Sequence, residues 1–241
     1  MCSLLRADTI VLLRNTVSTI AGIILPVMLI IASTFGKAQA RMGGTENIIG
    51  LALTLGLVAS CILGYSLALA HDRDAGVLQR LRVTPAPTWM IMTSRLLIQV
   101  AASLSSSVLV LTVAMILHGL TLSAGQYALV LAVAILGSVM FLALGQALVG
   151  LVKSTSAVNA IGRVLFIVLV LLGVLGATGI LGGTVQTIAV FSPVGALMTL
   201  FTDVLTSAGW AEQDLASLLA CAGYAILFAF IGIRFFRWES R

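Results

Sequence analysis

Apolar residues in this chain fall in long uninterrupted runs, without the period-two alternation of a half-buried strand. Six runs stand out, at Val17–Phe35, Ile48–Ala70, Leu96–Leu117, Tyr127–Val152, Val164–Leu181 and Leu215–Ile233. Each is near the length of about 20 residues that a helix needs to cross roughly 30 Å of hydrocarbon. Backbone groups in lipid must pair within a helix or around a closed barrel. Continuous runs of this length exclude barrel strands, which alternate residue by residue. The pattern therefore predicts an all-α membrane protein with six transmembrane helices in a single domain over 1–241. Residues 184–209, between the fifth and sixth runs, are too interrupted for a clear span and too apolar for a plain loop. A re-entrant hairpin on the outer side before helix 6 fits them, because broken backbone survives at membrane depth when protein buries it. A seventh span is the alternative, and it would carry the Arg-rich C-terminus to the outer side.

Composition sharpens the class. Of 241 residues, 60% are hydrophobic and 9% charged, whereas soluble domains are about a quarter charged. That balance excludes a soluble domain, a disordered tail and a collagen-like fibre, and three scattered cysteines exclude a disulfide scaffold. The net charge of +5 reads as topology and calls for no nucleic-acid partner. Arg6 and Arg14 precede helix 1; Arg73, Arg80, Arg82 and Arg95 fall in the second loop; Lys153 and Arg163 in the fourth; Arg234, Arg237 and Arg241 at the C-terminus. Only Lys37 and Arg41 fall on the other side, where Asp203, Glu212 and Asp214 also lie. Basic residues mark cytoplasmic loops, so both termini are expected in the cytoplasm. A cleaved leader ending at Ala38-Gln39-Ala40 competes with this first span, although its apolar core is longer than a usual signal peptide's. Residues 4–14 scatter their apolar positions around the helical wheel, which leaves them open between an interfacial helix and the start of helix 1.

The chain lacks the groups that would make it self-powered or catalytic. A phosphate-binding loop needs Gly-x-x-x-x-Gly-Lys-Ser/Thr; Lys37 has Ile31 at the first glycine position and Ala38 after it, and Lys153 follows Val152. All eight acidic residues map to loops or termini, which disfavours ion coupling through carboxylates at depth. His71 and His118 are too few for an ordinary zinc site, so no metal site and no cofactor in this chain are expected. The nearest approach to a serine nucleophile elbow, Gly64-Tyr65-Ser66-Leu67-Ala68, lies inside an apolar helix, where Ser66 reads as a packing residue. Cys2, Cys61 and Cys221 read as unpaired thiols.

The second loop carries the distinctive signal. On a helical wheel Val77, Leu78 and Leu81 share one face, with Gln79, Arg80 and Arg82 turned away, which predicts a short amphipathic helix on the cytoplasmic surface. Asp72 and Asp74 stand at its expected N-terminal end, and Pro85 with Pro87 stops it. Such a helix either caps the bundle or gives a soluble partner something to push.

The run Asp72-Arg73-Asp74-x-Gly76-x-Leu78-x-x-Leu81-x-Val83-Thr84-Pro85 resembles the loop between helices 2 and 3 of ABC-2-type exporter permeases, commonly written Glu-x-Gly-Thr-Leu-Glu-x-Leu-x-x-Thr-Pro. Asp74 stands where Glu is usual, Val77 for Thr and Gln79 for the second Glu. The resemblance implies a coupling helix, residues 72–85, that docks on a separate ABC ATPase subunit, with Asp74, Gly76, Leu78, Leu81, Arg82, Thr84 and Pro85 as its contact set. It implies that ATP and Mg bind on that partner and that a second permease chain, identical or not, completes the path. It also implies a hairpin before the last helix and a multi-pass place in a bacterial cell membrane, among lipid. Compact permeases of this kind resemble drug and antibiotic exporters; a lipid or polysaccharide exporter is the nearer rival. A self-sufficient carrier or channel and a non-transporting membrane scaffold are the readings from other classes. Within the bundle, Ser103, Ser105, Ser106 and Ser107, the amides Gln99, Gln146 and Asn159, and the glycines at 173, 176, 179, 182 and 183 are candidates for packing, for the pathway or for a subunit contact. Among the amides Gln146 is expected to lie deepest.

Overall fold

A computed structural model describes residues 16–35, 43–77, 88–178, 188–206 and 212–235, whose regular structure is helical, with no strand among them. The helices are α1 (Thr16–Thr34), α2 (Thr45–Asp74), α3 (Thr88–His118), α4 (Ala124–Leu151), α5 (Thr155–Thr178), α6 (Pro193–Thr206) and α7 (Glu212–Phe235). Five of them, α2, α3, α4, α5 and α7, contain stretches long and apolar enough to cross a membrane. The first expected span coincides with α1. The leader motif at 38–40, the N-terminal segment before residue 16 and the C-terminal residues 236–241 lie outside the described residues.

The buried centre of the bundle is α2, with 83% of its apolar window enclosed, against 17% for α5 and for α7. Thirty residues of helix extend about 45 Å at 1.5 Å each, well beyond a hydrocarbon core of roughly 30 Å. From Ala59 to Tyr65 the helix widens into a π segment, and the Ser66 amide donates to the Cys61 carbonyl five residues back. Neighbours converge on this stretch. A β-carbon on Gly145 of α4 would lie 2.9 Å from the Cys61 carbonyl oxygen, and one on Gly22 of α1 would lie 3.2 Å from Ser60 Cβ. The side chain of Gln99 on α3 donates to Ser60 Oγ at 2.9 Å. Small residues let these backbones close up where lipid supplies no hydrophobic drive.

At α4 the chain starts with a capping box, Ser123 and Gln126 satisfying each other's backbone amides. Helix α7 runs alongside, so that a β-carbon on Gly232 would meet the Ala147 amide at 3.3 Å. Residues 188–191 form a helical turn that kinks into α6 at Ser192. There Ser192 Oγ donates to the Ala189 carbonyl at 2.6 Å and accepts from the Gly195 amide at 3.1 Å. At 14 residues, α6 is about 21 Å long, short of a bilayer crossing. It wedges among the other helices, with Leu197 against Gly137 and Val194 against Gly173. Of the hairpin expected over 184–209, residues 184–187 and 207–209 lie outside the described residues.

Several charges stand where the loop assignment did not put them. Arg73 is in the last turn of α2, Arg95 in α3 and Arg163 in α5. Among the acids, Asp72 and Asp74 end α2, Asp203 is on α6, and Glu46, Glu212 and Asp214 sit in first turns. Helices run further than their apolar cores because charges near their ends find partners on other elements. Arg163 is exposed, and its long stem allows the guanidinium to reach toward the interface.

Candidate functional site: the Asp72–Asp74 end of the bundle

Three consecutive residues at the end of α2 engage three elements. Asp72 Oδ2 accepts from Arg95 Nη1 of α3 at 2.6 Å in a half-buried ion pair. Arg73 is 3% exposed. It donates from Nη1 to the carbonyls of Val149 at 2.7 Å and Val152 at 3.0 Å, and from Nη2 to that of Lys153 at 2.7 Å. Those carbonyls close α4, where an α-helix leaves its last acceptors unpaired and its dipole negative. Asp74 takes the complementary side, its Oδ2 accepting from the Thr155 amide at 3.3 Å and from the Thr155 hydroxyl. Thr155 opens α5, where free amides and the positive dipole end favour a carboxylate. Hydrogen bonds to a charged group contribute about 1.5–3 kcal/mol each, so Arg73 is a main fastener of this end.

The two aspartates thus lie in the last turn of α2. A carboxylate at a helix C-terminus opposes the dipole, and here Arg95 and the start of α5 compensate it. Gly76 follows with φ of 69°, and its amide donates to the Arg73 carbonyl at 3.1 Å. This left-handed residue follows the end of α2, in a conformation only glycine adopts freely. Of the expected contact set, Asp74 and Gly76 are therefore in this cluster, while Leu78, Leu81, Arg82, Thr84 and Pro85 lie outside the described residues.

The other candidates are dispersed. Ser103 is fully buried in α3, 4.0 Å from Cys61 Sγ. Ser106 donates to the Gly22 carbonyl at 3.0 Å, joining α3 to α1. Gln146 is half-buried beside Gly232 of α7, only five residues before α4 ends. Gln99, at 6% exposure, is more enclosed within the chain than Gln146. Asn159 stands half-buried in the second turn of α5. Gly173 and Gly176 pack against Val194 and Ala189; positions 179, 182 and 183 lie outside the described residues. Ser66 is a packing residue, its hydroxyl donating to the Ile62 carbonyl. Sequence reasoning used Arg73 and Arg95 for topology alone and passed over Thr155. The signal available was a single Arg between two aspartates at the exit of a span.

At the opposite end of the bundle, α4, α6 and α7 enclose a cavity of about 540 Å³. Leu129, Val133, Leu136, Leu200 and Leu218 give it an apolar wall, and Gln126, Asp203 and Asp214 supply polar groups. The Gln126 side chain donates from Nε2 to the carbonyls of Val204 at 3.1 Å and Leu205 at 3.4 Å, closing the end of α6. Burial, then a hydrogen bond with Asp214 and its like charge, push the Asp203 carboxyl up to about 7. Asp214 is 5% exposed. No group of three or more metal-ligating side chains occurs among the described residues.

The model of the ABC-2 type transporter family matches residues 1–206, and the chain belongs to that family. It is accordingly a multi-pass membrane permease component of an ABC transporter, a non-catalytic subunit that works with an ABC ATPase. A comparison with curated proteins finds no match.

Proposed function

We propose that this chain is the permease of an ATP-driven exporter that moves a hydrophobic or amphiphilic compound, drug- or antibiotic-like, outward across a bacterial cell membrane. The N- and C-termini and the Asp72–Asp74 end face the cytoplasm, and the segment after Gly76 is the coupling element on which a separate ATPase, holding ATP and Mg, exerts force. Two permease chains form the path. Six spans and a re-entrant hairpin before α7 make up each chain's membrane domain.

The observation that carries this reading is the arrangement at the end of α2. The motif resembling an ABC-2 coupling loop begins in a turn fastened to α3, α4 and α5, so a push on it would be felt by those helices. Orientation rests on the positive-inside rule, since eleven of thirteen basic residues fall on that side. The cavity among α4, α6 and α7, apolar with a few polar groups, suits an amphiphile better than a sugar polymer.

The test is reconstitution of the full chain with its partner ABC ATPase, in vesicles loaded for export. Gly76→Asp and Leu81→Asp are expected to leave membrane insertion intact while hydrolysis no longer drives export. Export that continues unchanged in both variants refutes the coupling assignment. Export that needs an ion gradient and no ATPase refutes the class of transporter.

A further inference from the structure

Arg73 and Asp74 are neighbours in sequence, yet they hold the facing ends of two different helices. The guanidinium binds the carbonyl end of α4 and the carboxylate the amide end of α5. Between those ends lie only Val152, Lys153 and Ser154. Resting on the reading of the segment after Gly76 as the ATPase contact, we propose that Arg73 and Asp74 are positioning residues. They fasten the end of α2 to the α4–α5 elbow, so that displacement of the coupling segment reaches α5 as movement of one rigid unit, and Asp74 serves this internal bond in place of a contact with the ATPase.

Three features carry this assignment. The partners of both residues include backbone atoms of helix ends, so the attachment does not depend on the rotamer of a distant side chain. Two attachments of opposite sign, one on each side of the elbow, prevent rotation about either alone. The planar guanidinium fork reaches three carbonyls from one side chain, which a lysine ammonium on a flexible stem does not reproduce. What the elbow can move also fits. Within this chain α5 is the less enclosed arm of the elbow, with 17% of its apolar window buried against 50% for α4.

Spin labels at His71→Cys and Ser156→Cys test the unit directly, because both positions are exposed and lie on opposite sides of the clamp. The full chain carries Cys2→Ser, is reconstituted in nanodiscs with its ATPase, and is measured by pulsed dipolar spectroscopy nucleotide-free and trapped with ATP and vanadate. The expected result is one unchanged 71–156 distance in both states. In Asp74→Asn with Thr155→Ala the distance distribution broadens on trapping. Transport per ATP hydrolysed falls about tenfold, the size of an ordinary coupling between sites, while the ATPase still binds. Arg73→Lys, which keeps the charge and loses the fork, is expected to fall between the two.

A 71–156 distance that changes with nucleotide in the otherwise unaltered chain overturns the proposal. So does an Asp74→Asn chain that loses ATPase binding, because it returns Asp74 to the ATPase contact. A chain that fails to bind or stimulate the ATPase at all overturns the permease reading itself, which separates the two failures.

Discussion

The two ends of the helical bundle handle charge in opposite ways. Around Asp72, Arg73 and Asp74 each charged group meets its complement: a guanidinium, the carbonyl end of one helix or the amide end of another. Around Asp203 and Asp214 two like groups share a hydrogen bond beside an apolar cavity. The first arrangement gains from being charged and holds its elements in one geometry. The second is most at ease when it holds a proton. Rigidity is thus concentrated where force is proposed to enter, and sensitivity to solution conditions where the helices enclose space.

The contrast can be broken most forcefully at Arg73. Arg73→Ala strands three helix-end carbonyls and is expected to cost about 3 kcal/mol or more, read as a lower midpoint of thermal unfolding in detergent. A loss below 1 kcal/mol would show that water or lipid headgroups take over its role. Away from the clamp the comparable lesion is steric. Gly173→Leu would press on Val194 and Leu51, whose methyl carbons stand 2.8 and 3.0 Å from a β-carbon there. It is expected to cost about 1–3 kcal/mol by the same measurement, as overpacking does. Asp72→Ala removes the half-buried pair with Arg95 and should cost about 1 kcal/mol. Its effect should shrink as salt is raised; salt independence would mark the pair as fully shielded.

The smallest change sharpens the comparison through pH. The Asp203 carboxyl titrates near 3.8 ordinarily and near 7 in the fold. Between about pH 4 and 7 the folded chain therefore keeps a proton that the unfolded chain releases, and stability falls as pH rises through that window. Asp203→Asn should flatten this slope and leave the clamp unaffected. An unchanged slope in the variant would assign the titration elsewhere.

Much of the bundle was legible because a span leaves a long apolar run, and α2, α3, α4 and α7 begin and end within about eight residues of the expected limits. Helix α5 starts nine residues earlier than its run, at Thr155, because Arg163 looked like a loop residue. Local pattern cannot show that a charge has a partner far away in sequence. Arg73 meets Val149 and Asp72 meets Arg95 only after folding, and the pairing of Asp203 with Asp214 is equally invisible in a composition. The Gly76 signal was readable, since a glycine after a charged turn marks a helix end. The place of Asp72 and Asp74 inside the last turn of α2 was not.

The π segment from Ala59 to Tyr65 takes up one residue without turning what lies beyond it. Such a segment amounts to an extra residue in an α-helix, and each residue turns the chain by about 100°. Deleting one residue between 59 and 65 would remove the bulge and leave Arg73 near its present direction, whereas deleting one from the regular turns on either side would swing it about 100° away from the carbonyls of α4. The clamp is thus aimed by the count of residues in the regular turns of α2, and chain length there is as much a specification of the lever as any side chain at its end.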